Sequence, residues 1–297
     1  SIALLKMAPA LAAGNCVVAK PSEVTPVTAW MLGELAVEIG FPAGVFNIVH
    51  GHGNEVGQAL VEHAGVKAIS FTGSTAVGSG IARHCADTLK KASLELGGKN
   101  PTLLFDDAPR LGLMDVVVRS AFQNSGQICL CGSRILVERP FYEEFRDAFV
   151  ERTRQLRIGD PLDPATAMGP VVSQAHFEKV MGHIELARAE GGKILCGGNA
   201  VQPPGRCENG WFIAPTVIEG LGPHTRTNTE EIFGPVVTLQ PFDDEEDALA
   251  LANASAYGLS ASIFTSDLRR AHRLAAGIDA GLVWINTWLE RDLRTPF

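Results

Sequence analysis

No stretch of the chain is apolar for the roughly 18 residues that a membrane-spanning helix needs, so no span is expected. Aromatic residues are scarce at 7%, whereas glycine occupies 31 positions. That balance suits an α/β protein with many tight strand-to-helix turns. Basic residues are outnumbered, 25 against 33 acidic ones, and the net charge is -8. A nucleic-acid partner is therefore disfavoured, because phosphate binding needs a basic surface. An acidic total still leaves room for a local basic pocket. Framework cysteine spacing is missing as well. The six cysteines, Cys16, Cys85, Cys129, Cys131, Cys196 and Cys207, are scattered through a large chain. Thiols in a reducing, cytoplasmic setting are expected. Zinc patterns are lacking: there is no C-x-x-C pair, and no H-E-x-x-H among the eight histidines, so no metal site is expected. No signal peptide is visible. The chain begins without Met, inside the apolar helical pattern SIALLKMAPALAAGN, and stops at RDLRTPF without a polar tail. It reads as an internal piece of a longer protein.

What is present is an alternation of short strands and helices. A chain of 297 residues, 46% hydrophobic, can hold two domains with sizeable cores. NCVVAK reads as a short buried strand over Val17, Val18 and Ala19. A helix is expected over Thr25 to Ile39, with Trp30, Leu32, Leu35 and Ile39 as its apolar stripe and Gly40 as its stop. VFNIV is the next strand. Gly51, Gly53 and Gly57 open a helix, KAISFTG is a third strand, and Ser74 caps a helix to about Ala86. KASLEL is a fourth strand. Strands separated by single helices imply parallel pairing with right-handed crossovers. Ligands of such sheets bind beyond the carboxyl ends of the strands.

Gly97-Gly98 is a plausible domain junction, and PTLLFD opens a second α/β stretch. Leu113, Val116, Val117, Ser120 and Ala121 form a helical stripe that Gly126 terminates. Cys129 then lies in a loop before the strand SRILVE. Helices near Phe141–Leu156 and Gln174–Ala189 follow. The glycine- and proline-rich segment from Gly191 to Pro235 reads mostly as loops. Strands VVTLQPF, SASIF and GLVWIN and helices near Glu245–Asn253 and Asp267–Ala275 complete the chain.

Several residues could carry chemistry, each with a bland alternative. Gly51, Gly53 and Gly57 form G-x-G-x-x-x-G, one residue longer than the dinucleotide fingerprint, and serve equally as a tight turn. Gly73 and Ser74 stand at a strand end and helix start, where free N–H groups could hold a pyrophosphate. Lys20 and Glu23 could bond ribose hydroxyls, or could be a solvated pair opening a helix. Glu95, beside Gly97-Gly98, could act as a base if partly buried, or could sit at a strand tip as a surface carboxylate. Cys129 lies in a loop, where function concentrates, yet a cysteine is most often buried and inert. Cys131 competes for the same role. A thiol at the reference pKa of about 8.5 is only a few per cent thiolate at pH 7.

LELGGKNP and FQNSGQICLCGSR together resemble the two active-site signatures of the aldehyde dehydrogenase superfamily. PALAAGNCVVAKPSE, ISFTGSTAVG and EEIFGPV match further blocks of that family, in order, across essentially the whole chain. The resemblance implies the aldehyde dehydrogenase fold, with a Rossmann-like cofactor domain and an α/β catalytic domain. On that basis residues 1–97 are a partial NAD-binding domain and 98–297 the catalytic domain. It also implies roles. Cys129, two places after Gln127, is the nucleophile, and Glu95 the general base. Lys20 and Glu23 contact the adenosine ribose, which favours NAD. Gly53 lies against the adenine, and Gly73 and Ser74 lie at the pyrophosphate. Glu231 holds the nicotinamide ribose, with Phe233 beside it. The implied course is thiolate attack, a thiohemiacetal, hydride transfer to NAD, and hydrolysis of a thioester by water that Glu95 activates. The family's oxyanion asparagine, in a W-N-x-P block, would lie upstream of Ser1, so this stretch alone is expected to be inactive. The parent is expected to be a homo-oligomer, a dimer or a tetramer, acting on a small-molecule aldehyde.

WLERDLRTPF with ICLCGSR resembles the branch acting on 2-aminomuconic or 2-hydroxymuconic semialdehyde. Such substrates carry a remote carboxylate, which an arginine fork can bind bidentately. Arg291 is the candidate, with Arg294 in reserve; a surface arginine paired with Glu290 or Asp292 is the bland alternative. Two other readings stay open: a CoA-acylating aldehyde dehydrogenase, against which Glu95 argues, and a non-catalytic protein that keeps the fold.

Overall fold

The computed structural model describes residues 2–292, 294 and 295, which fall into two units, Ser1–Leu96 and Gly97–Phe297. The first unit runs α1 (Ile2–Ala12), β1 (Val17–Ala19), α2 (Val27–Glu38), β2 (Phe46–Ile48), a π turn (Gly53–Gly57), α3 (Gln58–Glu62), β3 (Ala68–Thr72), α4 (Thr75–Thr88) and β4 (Lys91–Glu95). Each strand pair is parallel, β1 with β2 and β3 with β4. Helical crossovers between neighbouring strands produce that sense. Gly40, at φ +77°, turns the chain after α2, a conformation open to glycine without a Cβ penalty.

Two expectations fail in this unit. The stripe of Trp30, Leu35 and Ile39 points outward, and all three are exposed. The inner face of α2 is built from Ala29 and Ala36, which are buried, with Leu32 and Gly33 between them. A Cβ on Gly33 would lie 3.4 Å from the Ile48 side chain. Small residues let the helix approach β2, and the bulky ones are left on the far side. Val18 is likewise 47% exposed rather than buried. Its side chain alternates to the face of β1 opposite to Val17 and Ala19.

The second unit runs β5 (Asn100–Leu104), α5 (Leu113–Phe122), a 3-10 turn (Gln123–Gly126), β6 (Gly132–Glu138), α6 (Arg139–Arg154), α7 (Gln174–Ala189), β7 (Lys193–Cys196), β8 (Ala200–Val201), β9 (Phe212–Ile213), β10 (Thr216–Glu219), α8 (Arg226–Thr229), β11 (Val236–Phe242), α9 (Glu245–Ala252), β12 (Ser260–Phe264), α10 (Leu268–Gly277) and β13 (Leu282–Ile285). Seven strands form one sheet in the order β13-β12-β5-β6-β11-β10-β7. All neighbours are parallel except β7, which pairs antiparallel with β10 at the edge.

Strand alternation fills two cores. Leu104, Ile135 and Val137 face α5 and α6, where Val117, Ala121, Phe145 and Phe149 meet them. Leu103 and Leu136 face the other way, against Ala248 of α9 and Leu274 of α10. A third core sets Val180 and Ile184 of α7 against Ile218 and Val236. The segment from Gly191 to Pro235 is mostly loop and turn, as expected, but it also contributes β7 and β10 to the large sheet. Both are four-residue strands among glycines and prolines, too short for their alternation to register. Among the described residues, no helix is long and apolar enough to cross a membrane.

Candidate active site

Cys129 sits in the loop between α5 and β6, and the sequence before it explains how that loop is held. Asn124 and Ser125 adopt left-handed conformations, φ 52° and 56°, followed by Gly126 at φ +71°. Each non-glycine residue in that region costs about 1–3 kcal/mol. The offset is a set of hydrogen bonds worth about 1 kcal/mol each. Asn124 Nδ2 donates to the Gln127 carbonyl (3.1 Å), and Gln127 Nε2 donates to the Asn124 carbonyl (3.2 Å). Gln127 Oε1 accepts from the Val172 N–H at 3.0 Å, and Ser125 Oγ donates to the Gly169 carbonyl at 2.8 Å. Gly126 has no room for a Cβ, which would overlap the Gly234 carbonyl.

Three successive carbonyls around the thiol are then pinned. Asn100 Nδ2 donates to the Cys129 carbonyl at 2.7 Å and to the Cys131 carbonyl at 2.9 Å. Asn100 Oδ1 accepts from the Ser260 N–H at 3.1 Å. The buried Trp288 indole donates to the Leu130 carbonyl at 2.8 Å. Gly98 must be glycine here, since a Cβ would lie 2.6 Å from the Cys129 carbonyl oxygen. The two nearby thiols differ sharply. Cys129 is half-buried and Cys131 is buried. Burial pushes the Cys131 thiol up to about 12, which leaves it protonated and unreactive near neutral pH.

Glu231 and Phe233 lie beside this loop. Glu231 Oε1 accepts from the Gly98 N–H at 3.0 Å. A methyl group on Gly97 would overlap the same carboxylate. Gly98, Ile128, Glu231 and Phe233 line a common small pocket. Phe233 has φ 61°, and its carbonyl accepts from His176 Nε2 at 2.6 Å. Burial lowers the His176 pKa below its usual value. Lys99 is 2% exposed, and its Nζ has no hydrogen-bond partner among the described residues. Burial, with Arg134 adding to it, pushes its ammonium down to about 7 against the opposing pull of Glu231.

Arg291 is exposed, just after a segment fixed by two indoles. Trp284 Nε1 donates to the Glu290 carbonyl at 2.9 Å, and Trp288 is held as described. Arg294 is 90% exposed in its side chain and pairs with Asp292 at 2.6 Å.

The first unit carries the remaining candidates. Lys20 Nζ donates to Glu23 Oε2 (3.2 Å), the Pro21 carbonyl (2.7 Å) and the Gly51 carbonyl (3.1 Å). It therefore joins the end of β1 to the glycine turn. The Glu23 carboxylate is held below its usual pKa, first by its own backbone N–H and then by Lys20. Around Gly53 a Cβ would meet open space, whereas at Gly73 it would strike the Phe71 ring. Ser74 Oγ caps α4 by accepting from the Val77 N–H at 3.4 Å. Glu95 is the last residue of β4, half-buried, and its carbonyl accepts from the Gly73 N–H at 3.1 Å. Lys6 was not expected in this neighbourhood. Its Nζ donates to Ser70 Oγ at 2.8 Å and to the Phe71 carbonyl at 3.3 Å. Burial pushes its ammonium down, with the Glu95 carboxylate opposing.

The sequence model of the aldehyde dehydrogenase family matches residues 1–297. The chain belongs to the aldehyde dehydrogenase family. It is 50% identical to the 2-aminomuconic semialdehyde dehydrogenase of Danio rerio, over 98% of this chain and 60% of that protein. It is 45% identical to the 2-hydroxymuconic semialdehyde dehydrogenase of Pseudomonas putida, with the same coverage of 98% and 60%. A betaine aldehyde dehydrogenase from Staphylococcus aureus, solved in complex with NAD+, superposes with a TM-score of 0.94 at 40% identity. That match covers 99% of this chain and 58% of the solved one. The chain thus spans about 60% of the length of the curated aldehyde dehydrogenases it matches.

Asn100, Trp288, His176 and Lys6 are not among the candidates that the sequence singles out. Asn100 follows Glu95 in the same signature block, so its motif was a usable signal. Trp288 stands in the tail that drew notice only for its arginines. Nothing local marks Lys6 or His176.

Proposed function

We propose that this chain is part of an NAD-dependent aldehyde dehydrogenase that oxidises a carboxylate-bearing aldehyde, of the muconic semialdehyde kind, to the acid. The observation that carries the reading is the contrast at the signature loop. One thiol, Cys129, is half-buried on a backbone pinned at three carbonyls, while Cys131 is sealed. The names of the relatives at 45% and 50% identity support the substrate class. The NAD+ complex of the betaine aldehyde dehydrogenase supports the cofactor.

The residues present fit that cofactor. Glu23 offers an exposed carboxylate for a ribose hydroxyl beside Lys20. Gly53 leaves open space, and Gly73 and Ser74 directly precede a 14-residue helix, whose N-terminal N–H groups suit a pyrophosphate. Glu231 and Phe233 border a pocket adjoining the nucleophile loop. Residues 1–97 would form the cofactor domain and residues 98–297 the catalytic domain. The buried thiols of Cys85, Cys131 and Cys207 suit a reducing cytoplasmic setting. A homo-oligomer completes the reading, as the outward apolar side chains of Trp30, Met31 and Leu35 on α2 favour a covered surface.

In the reaction, the Cys129 thiolate bonds to the aldehyde carbon, and the carbonyl oxygen takes up the negative charge. NAD, when bound, would supply the hydride acceptor for oxidation of the thiohemiacetal to a thioester. Glu95 then takes a proton from water as the water oxygen bonds to the acyl carbon, and gives that proton up to solvent afterwards. The C–S bond breaks, the acid departs, and the thiolate is restored. Arg291 would hold the remote carboxylate. In the whole protein, Arg291→Ala should weaken kcat/KM for 2-hydroxymuconic semialdehyde by about 2–5 kcal/mol, as for a stripped charge partner. NADH formation measures this, with a neutral aldehyde of equal length as comparator. Equal losses on both would remove the arginine from this role.

A further inference from the structure

The segment that bears Arg291 is bonded directly to the loop that bears Cys129. Trp288 is 1% exposed, and its indole N–H meets the carbonyl of Leu130, the residue after the nucleophile, at 2.8 Å. Leu130 is itself 1% exposed, so the bond is shielded from water, where a hydrogen bond is electrostatically stronger. The carbonyl of Trp288 accepts from Arg119 Nη2 at 3.3 Å, and that guanidinium lies 5.8 Å from the indole ring centroid. Arg119 belongs to α5, the helix that leads into the nucleophile loop. On the far side of Trp288 the backbone reverses at Leu289, with φ 63°. Trp284, anchored in β13, takes the Glu290 carbonyl at 2.9 Å. The residues on both sides of this turn are therefore fixed. One side is fixed to the sheet, and the other to the backbone that carries the thiol.

We propose that Trp288 is a positioning residue that sets the separation of Arg291 from Cys129, and with it the length of acidic aldehyde that is accepted. The proposal rests on the reading of Arg291 as the carboxylate partner. A rigid link matters because a substrate held at both ends must match one distance. Misplacement of a reacting group by about 1 Å can cost around 100-fold. A loop that drifts relative to Arg291 penalises a two-point substrate, while an aldehyde held at one end can follow the thiol.

The test is a double-mutant cycle in the whole protein, with 2-hydroxymuconic semialdehyde and neutral 2,4-hexadienal as the two substrates. Trp288→Phe removes the N–H and keeps a ring. It should lower kcat/KM for the acidic substrate about tenfold, the upper end for one hydrogen bond, and for hexadienal less than about threefold. In an Arg291→Ala background the same change should cost the acidic substrate less than about threefold, because the second holding point is already gone. Arg119→Met, from an exposed helix position, is the milder variant should Trp288→Phe fail to fold. It should show the same substrate bias at about two- to fivefold. Equal losses on both substrates from Trp288→Phe or Arg119→Met, or a full tenfold loss in the Arg291→Ala background, would overturn the coupling. If Arg291→Ala alone affects both substrates equally, the carboxylate reading falls first and the coupling with it.

Discussion

At the scale of single residues, burial assigns different work to side chains of the same type. Cys131 lies two positions from Cys129, yet its thiol is pushed up to about 12 by burial. The G-Q-x-C motif pointed to Cys129, but the reason Cys131 is inert was not legible. Its burial depends on how the loop folds back, which sets its Sγ 3.9 Å from the Gln123 carbonyl. Lys99 shows the same effect in a cation. Its ammonium is pushed down to about 7, chiefly by burial. An unfolded lysine stays protonated to about 10.4. Between those values the unfolded chain holds the extra proton, so the Lys99 contribution to stability improves as pH rises. Below pH 7 its burial is a full penalty. Lys99→Met should therefore stabilise the chain by about 2–5 kcal/mol at pH 6.5, and the advantage should shrink toward pH 10. Urea unfolding midpoints at pH 6.5 and 9.5 check this. An advantage that does not depend on pH would contradict it.

At the scale of elements, most helices and strands were readable from periodicity, and the exceptions have separate causes. α7 is found over Gln174–Ala189 as expected, because a 16-residue helix offers several turns of pattern. β7 and β10 were missed because four residues give two alternations at most. The outward face of α2 was missed because bulk was read as burial, whereas Ala29, Gly33 and Ala36 set the close approach. The left-handed turn at Asn124–Gly126 depends on partners about 40 to 110 residues away, at Gly169, Val172 and Gly234. Gly126→Ala should test that turn. Its Cβ would meet backbone, and φ +71° disfavours any L residue. A loss of about 3 kcal/mol or more in stability is expected by chemical denaturation. A change below about 0.5 kcal/mol would show that the loop is not fixed as described.

At the scale of the whole molecule, the two units are unequally consolidated. The second holds three large buried cores, whereas the first has a cluster centred on Val61, Ile81 and Cys85. Hydrogen exchange should accordingly be slowest in β5, β6 and β11, and at least about 100-fold faster in β1 and β2. Equal protection would contradict that ordering. The family was legible from five ordered motifs. The hydrogen bonds that hold the Cys129 loop were not, since Trp288 and Leu130 are 158 positions apart. The central claim is that Cys129 carries the acyl group and Glu95 releases it. Peptide mass spectrometry of the whole protein, quenched during turnover with NAD and 2-hydroxymuconic semialdehyde, tests it most directly. The account predicts an acyl adduct on the Cys129 peptide that accumulates in Glu95→Gln and vanishes in Cys129→Ala. NADH formation with the adduct on Cys131, or undiminished in Cys129→Ala, would contradict it.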